Sequence, residues 1–350
     1  MKVLGIETSC DECSSSVVED GEKILSNIIA TQIPFHAKYN GVVPEIASRK
    51  HTEWIYSVTK EALEKANLSV EEIDAVAVTN RPGLLGSLLT GLSFAKAFAW
   101  ARKIPFIAVD HMLAHLYAPR LLAETKCGYP FLGLLVSGGH TIICRADDFD
   151  NITVLGTTID DAAGEAFDKV AKHYNFGYPG GAVIDKMAQS GDNGAFNFPM
   201  PSLHKGGFAQ SADGRSVQCH RYDVSYSGIK NAVINQFENF KVKENYTKED
   251  LAASFQKTAV NILLRALLNA AQDTGITTIV AGGGVAANSY LRSVLAQQSS
   301  LKCVFPPLEL CGDNAAMIAG IGYHYLKRGE SSALNTTASA RVTGFKKKYP

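Results

Sequence analysis

The sequence predicts an α/β fold built from two similar halves, and three observations carry that expectation. Short apolar runs of strand length alternate with longer segments of helical period, the order expected of helices packed on mixed sheets. Each half opens with closely spaced strands around a polar turn, then passes to alternating helices and strands. Polar or glycine-rich turns fall where strands end: Glu7-Thr8-Ser9-Cys10-Asp11-Glu12, Ser137-Gly138-Gly139-His140 and Gly282-Gly283-Gly284-Val285-Ala286-Ala287-Asn288.

In the first half, Val3 to Ile6, Ser14 to Val18 and Lys23 to Thr31 read as strands of an antiparallel meander. Pro44 to Lys65 follows as a helix, Ile73 to Thr79 as a buried strand, Leu84 to Ala101 as a buried helix and Pro105 to Val109 as a strand. The pattern restarts at Phe131. Phe131 to Val136, Thr141 to Arg145 and Asn151 to Leu155 read as strands. Helices are expected at Asp161 to His173, Ala182 to Gln189, Ser227 to Phe240 and Leu251 to Thr274. A strand at Thr278 to Ala281, a helix from Ala287, a strand at Cys303 to Phe305 and a helix at Asn314 to Lys327 complete the chain. The shared order implies a duplicated fold with a cleft between the halves.

Composition narrows the function classes. At 350 residues with 46% apolar content, the chain can bury a large core and favours about two domains. Lys+Arg and Asp+Glu both total 34, so any contact with nucleic acid must be local rather than driven by net charge. The N-terminus meets Glu7 before it could build a signal-peptide core, and the weakly charged stretch from Leu84 to Ala101 carries Lys96. A soluble, cytoplasmic protein without a membrane segment is expected. Seven irregularly spaced cysteines suit reduced thiols better than a disulfide framework. Cys10-Asp-Glu-Cys13 has redox spacing but lies in a turn between strands rather than at a helix start.

Several groups of residues carry chemistry. His111 and His115 stand four apart at a helix start, so both imidazoles share a face and could hold one metal ion. Ordinary hydrogen bonding is the alternative. A metalloprotease would need a glutamate directly after the first histidine, and Met112 stands there. Asp313 could cap the last helix or complete a two-histidine, one-carboxylate metal face. The glycines of the turns let backbone approach a phosphate or sugar, and a helix start supplies N–H groups for an anion. The third turn also satisfies the G-x-G-x-x-A dinucleotide fingerprint, but it lies late, with no complete doubly wound unit after it. A nucleotide held between two similar lobes suits the three turns better. Asp160 and Asp161 fit the positive end of a helix dipole, whereas Asp168 lies further in and could accept hydrogen bonds from a ligand. Asp185 follows Gly180-Gly181 on a first turn, where capping is the competing explanation.

Together these segments resemble one family. Gly5-Ile-Glu-Thr-Ser-Cys-Asp-Glu12, Asn80-Arg-Pro-Gly-Leu-Leu-Gly-Ser87, His111-x3-His115, Leu135-Val-Ser-Gly-Gly-His140, Asp160-Asp-Ala-Ala-Gly-Glu-Ala-Phe-Asp168, Tyr178-Pro-Gly-Gly181, Tyr226-Ser-Gly-Ile-Lys230, Ala281-Gly-Gly-Gly-Val285 and Asp313-Asn-Ala-Ala-Met317 occur in its order. From Met1 to about Lys327 the chain resembles the bacterial tRNA adenosine threonylcarbamoyltransferase (TsaD) family, formerly labelled glycoprotein endopeptidases. The resemblance implies a two-lobed actin-like ATPase fold, shared with sugar kinases and heat-shock ATPases. The lobe boundaries expected are 1–128 with about 326–350 for the N-terminal lobe, and 129–325 for the C-terminal lobe. The implied reaction moves a threonylcarbamoyl group from threonylcarbamoyl-adenylate to the exocyclic amine of the adenosine beside the anticodon, in tRNAs reading A-starting codons.

Carried over by position, the resemblance implies metal ligands at His111, His115 and Asp313, with iron expected and zinc the alternative. It implies substrate-binding positions at Leu135, Val136, Ser137, Gly138, Gly139, Asp168, Gly181, Asp185 and Asn288. Cys13, Ala114 and Gly312 depart from the family's usual threonine, glycine and threonine. The metal would polarise the threonylcarbamoyl-phosphate end, the Ser137 turn would meet the phosphate, and Asp168, Gly181, Asp185 and Asn288 would surround ribose and base. Lys230 and His140 are candidates for a general base. An anticodon loop must open to expose the amine, and Lys205, Arg215, His220, Arg221, Arg341 and Lys346 to Lys348 could contact it, solvated surface charge being the alternative. The resemblance also implies a smaller actin-like paralogue and a P-loop ATPase as partner subunits, with a separate synthase making the adenylate. Two other classes share parts of these motifs: a kinase or ATPase on the same lobes, and a metalloprotease built on the histidine pair.

Overall fold

The first sheet is assembled from β1 (Lys2–Glu7), β2 (Glu12–Glu19) and β3 (Lys23–Thr31), an antiparallel meander with Lys2 paired to Glu19 and Glu12 to Thr31. This computed structural model describes residues 1–121, 127–203, 207–210, 216–242 and 246–341. After the short α1 (Ile33–His36), Pro44 opens α2 (Pro44–Lys65), its fixed φ suiting the first helical turn. Ala47, His51, Ile55, Val58, Thr59 and Ala62 fall on one face of α2, which packs on β2 and β3. β4 (Ala75–Arg81), α3 (Leu85–Arg102) and β5 (Phe106–Asp110) then add parallel strands on the far side of β1, and α4 (His111–Tyr117) follows. The resulting order is β3-β2-β1-β4-β5.

The second sheet repeats that plan. β6 (Phe131–Val136), β7 (Thr141–Ala146) and β8 (Ile152–Thr157) form a second antiparallel meander. Helices α5 (Ala163–Tyr174) and α6 (Gly180–Ala188) precede a small ribbon of β9 (Phe208–Gln210) and β10 (Ser216–Gln218). Then come α7 (Ser227–Val242) and the long α8 (Lys248–Thr274), capped by Thr247 at one end and by Gly275 in a left-handed conformation at the other. β11 (Thr278–Gly282), α9 (Ser289–Ala296) and β12 (Lys302–Val304) complete the sheet, with β11 parallel to both β6 and β12. Its order, β8-β7-β6-β11-β12, matches the first sheet strand for strand. The expected duplication is therefore present, and each sheet is mixed rather than doubly wound and parallel, which removes the dinucleotide-fold reading of the third turn.

The final helix, α10 (Ala315–Lys327), returns to the first sheet. It lies on β1, β4 and β2, buried continuously from Ala315 to Gly322. Gly5 makes this possible, since a Cβ there would sit 2.2 Å from the Ala315 carbonyl oxygen. Among the described residues, one compact unit is thus Met1–Cys127 together with 306–341, and the other is Gly128–Phe305. The return comes about twenty residues before the expected boundary near 326, because the apolar face of α10 needs the β1–β4 surface to leave water.

Other differences are local. Asp160 and Asp161 stand before α5, which starts at Ala163, so neither is a first-turn acid. The segment Gly284–Ala287 is a 3-10 turn, and α9 begins only after Asn288. Among the described residues, no helix is long and apolar enough to cross a membrane.

Candidate metal and nucleotide sites

In the first unit, β5 runs into α4 through Asp110, whose side chain accepts a hydrogen bond from the Met112 N–H at 2.9 Å and caps the helix. One turn of α4 sets His115 Nε2 3.1 Å from His111 Nε2. Asp313 lies in the turn before α10. Asn314, not Asp313, caps that helix, accepting from the Met317 N–H at 3.0 Å. The Asp313 carboxylate points elsewhere, with Oδ1 3.1 Å from His115 Nε2 and 3.5 Å from His111 Nε2. The three ligand atoms all lie within 4.8 Å of one another. Met112 is buried, so no carboxylate occupies the protease-base position.

The sequence reading missed Glu7 at this site. Its carboxylate, fully buried at the end of β1, lies 3.0 Å from His111 Nδ1. Burial alone would lower the pKa of His111, but Asp313 and Glu7 overcome it and raise the imidazole to about 9. Burial would raise Glu7, yet the charge and hydrogen bond of His111 pull it below its ordinary value. His115 is held below the usual histidine value by burial and by its charged neighbour His111. Burial, reinforced by Asp11 and Asp313, lifts Glu12 to about 9. Burial likewise lifts the Cys10 thiol far above its usual value and Cys13 to about 12, the opposite of an activated redox pair.

The donor set fits a metal ion. Two neutral ring nitrogens facing each other would repel unless one carries a proton, whereas two nitrogens and one carboxylate oxygen converging on one point form a three-ligand face. Such a face suits iron or zinc.

In the second unit, β6 delivers buried Leu135 and Val136 to the Ser137 turn, which is closed by Ser137 N–H on the His140 carbonyl at 2.8 Å. Gly138 lines a cavity of about 380 Å³, together with Gly164, Asp168, Gly181, Asp185 and Asn288. Leu135 and Val136 do not line it, and support the turn from the sheet. Gly164 allows α5 to start against the turn, as a Cβ there would be 2.7 Å from the Ser137 carbonyl oxygen. Three polar residues also tie the cavity walls together. Asp168 accepts from Gly180 N–H at 2.8 Å, Asp185 accepts from Ser289 Oγ at 2.8 Å, and Asn288 caps α9 while donating to Gln256 at 3.1 Å. Phe167, Pro179, Val285 and Ala287 supply an apolar wall that individual motifs did not reveal. A cavity of this size with a few convergent polar groups suits a small ligand such as a nucleoside.

The remaining candidates divide. Lys230 Nζ lies 2.6 Å from Asp161 Oδ2, an ion pair made within the protein. Arg221 is bound through two nitrogens to Asp273, and His220 Nδ1 lies 2.8 Å from Asp223, so both are occupied within the protein. Arg341 is exposed. Lys205, Arg215 and Lys346 to Lys348 lie outside the described residues.

The duplicated mixed sheets define an α/β fold of the actin-like ATPase type, one unit carrying a His-His-Asp cluster and the other a nucleoside-sized cavity. Solved structures agree on the fold. Component A of (R)-2-hydroxyglutaryl-CoA dehydratase from Acidaminococcus fermentans matches with TM-score 0.55 and 14% identity, over 94% of this chain and 100% of that one. HypF from T. kodakarensis matches with TM-score 0.58 and 13% identity, over 93% of this chain and 48% of that one. Residues 23–320 match the family described as "TsaD: tRNA N6-adenosine threonylcarbamoyltransferase". A protein of that name from Treponema denticola is 65% identical over 99% of both chains, and one from Treponema pallidum is 53% identical over 99% of this chain and 95% of that one. The chain belongs to the tRNA N6-adenosine threonylcarbamoyltransferase family.

Proposed function

We propose that this enzyme moves the threonylcarbamoyl group of threonylcarbamoyl-adenylate to the exocyclic amine of the adenosine beside the anticodon, in tRNAs reading A-starting codons. The observation carrying this reading is the 65% identity, along nearly the whole chain, to a protein named for that transfer. The His-His-Asp face and the second unit's cavity support it.

The chemistry asks little covalent work of the protein. The amine nitrogen attacks the activated carbonyl carbon, a C–N bond forms, the C–O bond to phosphate breaks and AMP leaves with the electron pair. Positioning and stabilisation of the developing oxyanion therefore carry catalysis. The cavity walls would hold the adenosine, with Asp168 and Asp185 offering acceptors to hydroxyls and the apolar wall of Phe167 and Val285 meeting the base. The Ser137-Gly138-Gly139 turn would bring backbone N–H groups to the phosphate. His111, His115 and Asp313 would hold a divalent ion, iron or zinc, which when bound supplies a Lewis acid for the acyl-phosphate oxygens. The proposal includes a smaller actin-like paralogue and a P-loop ATPase as partner subunits, a separate synthase for the adenylate, and a cytoplasmic setting.

The test supplies the purified chain and those subunits with threonylcarbamoyl-adenylate and a substrate tRNA, and reads modified adenosine by mass spectrometry. Modified adenosine and AMP in equal amounts are expected. No modified base, with phosphate released from ATP by the purified chain alone in the absence of tRNA, would replace the transferase by an ATPase or kinase.

A further inference from the structure

We infer that Glu7 is a positioning residue for the metal face, fixing the His111 ring so that its Nε2 lone pair points at His115 and Asp313. The inference rests on the metal reading above and extends it to a residue outside the three ligands. Glu7 is fully buried, with its Oε2 3.0 Å from His111 Nδ1. A buried carboxylate is costly unless its oxygens are satisfied, and every donor here has a definite place. The Ser9 N–H donates to Oε1 at 2.5 Å, while Thr79 Oγ1 donates to Oε2 at 2.5 Å. His111 Nδ1 meets the same Oε2 at 3.0 Å, with the Ser9 hydroxyl at 3.3 Å from that nitrogen. An anionic Oε2 can only accept, so Nδ1 must carry a proton, and in the neutral ring that leaves Nε2 as the lone-pair nitrogen. His115 has no comparable support, because its Nδ1 is buried without a hydrogen-bond partner among the described residues. Orientation of the His111 ring therefore depends on Glu7.

The network also predicts what the near-isosteric Glu7→Gln does. Ser9 N–H requires an acceptor, so the amide oxygen takes the Oε1 place and the NH₂ group turns toward His111 Nδ1. That nitrogen then becomes the acceptor, and the ring proton moves to Nε2, on the metal-facing side. Outer-sphere partners of this kind typically change metal affinity by about 10–100-fold.

The experiment measures Zn²⁺ affinity by chelator competition at neutral pH, on the full-length wild type, Glu7→Gln, Thr79→Val and His111→Ala, with melting curves for each. The expected result is affinity in the wild type that His111→Ala abolishes, that Glu7→Gln weakens by about 10–100-fold and that Thr79→Val weakens by a smaller factor. Wild-type affinity retained in Glu7→Gln would overturn the inference while leaving the metal site intact. If Glu7→Gln does not fold, unchanged affinity in folded Thr79→Val would overturn it instead. Wild type binding no more Zn²⁺ than His111→Ala would overturn the metal reading itself, an outcome distinct from the other two.

Discussion

At His115 both imidazole nitrogens are out of water, Nε2 in the group of three potential ligand atoms and Nδ1 without a hydrogen-bond partner among the described residues. On the metal reading proposed above, Nε2 is the ligand nitrogen. His115→Ala should lower bound metal after purification by more than about 100-fold in affinity, the loss of a ligand exceeding that of an outer-sphere partner. Metal content by elemental analysis checks this, and full metal retention would refute it. Asp160 offers a separate test, in the second unit. Burial opposes its ionisation, but Ser225 Oγ at 2.5 Å, Tyr226 N–H at 2.8 Å and Ser227 Oγ at 2.8 Å all donate to it, so its pKa lies below the ordinary value. A depressed carboxylate adds stability above its unfolded pKa and loses it as pH falls through the folded value. The wild type should therefore melt above Asp160→Asn at pH 7, and the gap should close as the pH is taken below the ordinary aspartate value. A gap independent of pH would assign the difference to packing instead.

Among the elements, the strands of the two five-stranded sheets and most helices were read to within two residues, whereas the β9–β10 ribbon was not foreseen. Pro44 and the apolar period of α2 are local signals, and the helix observed matches the span expected. The start of α9 was misplaced because its cap, Asn288, follows a glycine-rich 3-10 turn that itself looks like a helix start. That turn depends on Gly283, which has φ +92° and whose Cβ would lie 2.3 Å from the Val136 carbonyl oxygen. Gly283→Ala should destabilise the protein by about 3 kcal/mol, combining backbone strain with a clash against rigid backbone. Chemical denaturation measures this, and a loss below about 1 kcal/mol would show that the β6 turn can yield.

For the whole molecule, the decisive fact is that the first unit is made from two distant chain segments. Without α10, the surfaces of β1, β2 and β4 that it covers would face water. Burying each leucine- or isoleucine-sized side chain contributes about 1.5–3 kcal/mol, so a fragment of residues 1–127 forfeits several such contributions. It should lack a cooperative melt, whereas 1–127 joined by a flexible linker to 306–341 should regain one by circular dichroism. Cooperative folding of 1–127 alone would show that the helix is an accessory to the unit. The same return explains why Asp313 could be named from its motif but not given a location by it. Its carboxylate reaches α4 only because α10 packs on the sheet that α4 leaves.

The sequence by itself determined the alternation of strands and helices, the duplication, the histidine pair on one helical face and the family, since these follow from local periodicity, turn chemistry and ordered motifs. Tertiary structure alone decided three things. It showed that the Asp313 carboxylate turns to the histidine pair rather than capping α10, that Glu7 stands behind His111 and that the cavity has an apolar wall. It also showed Lys230 and Arg221 bound to Asp161 and Asp273, and so spent within the protein. The physical reason is common to all of them. Partners such as Glu7 and His111, or Lys230 and Asp161, lie more than sixty residues apart, and only packing of the sheets sets the few ångströms that make them interact.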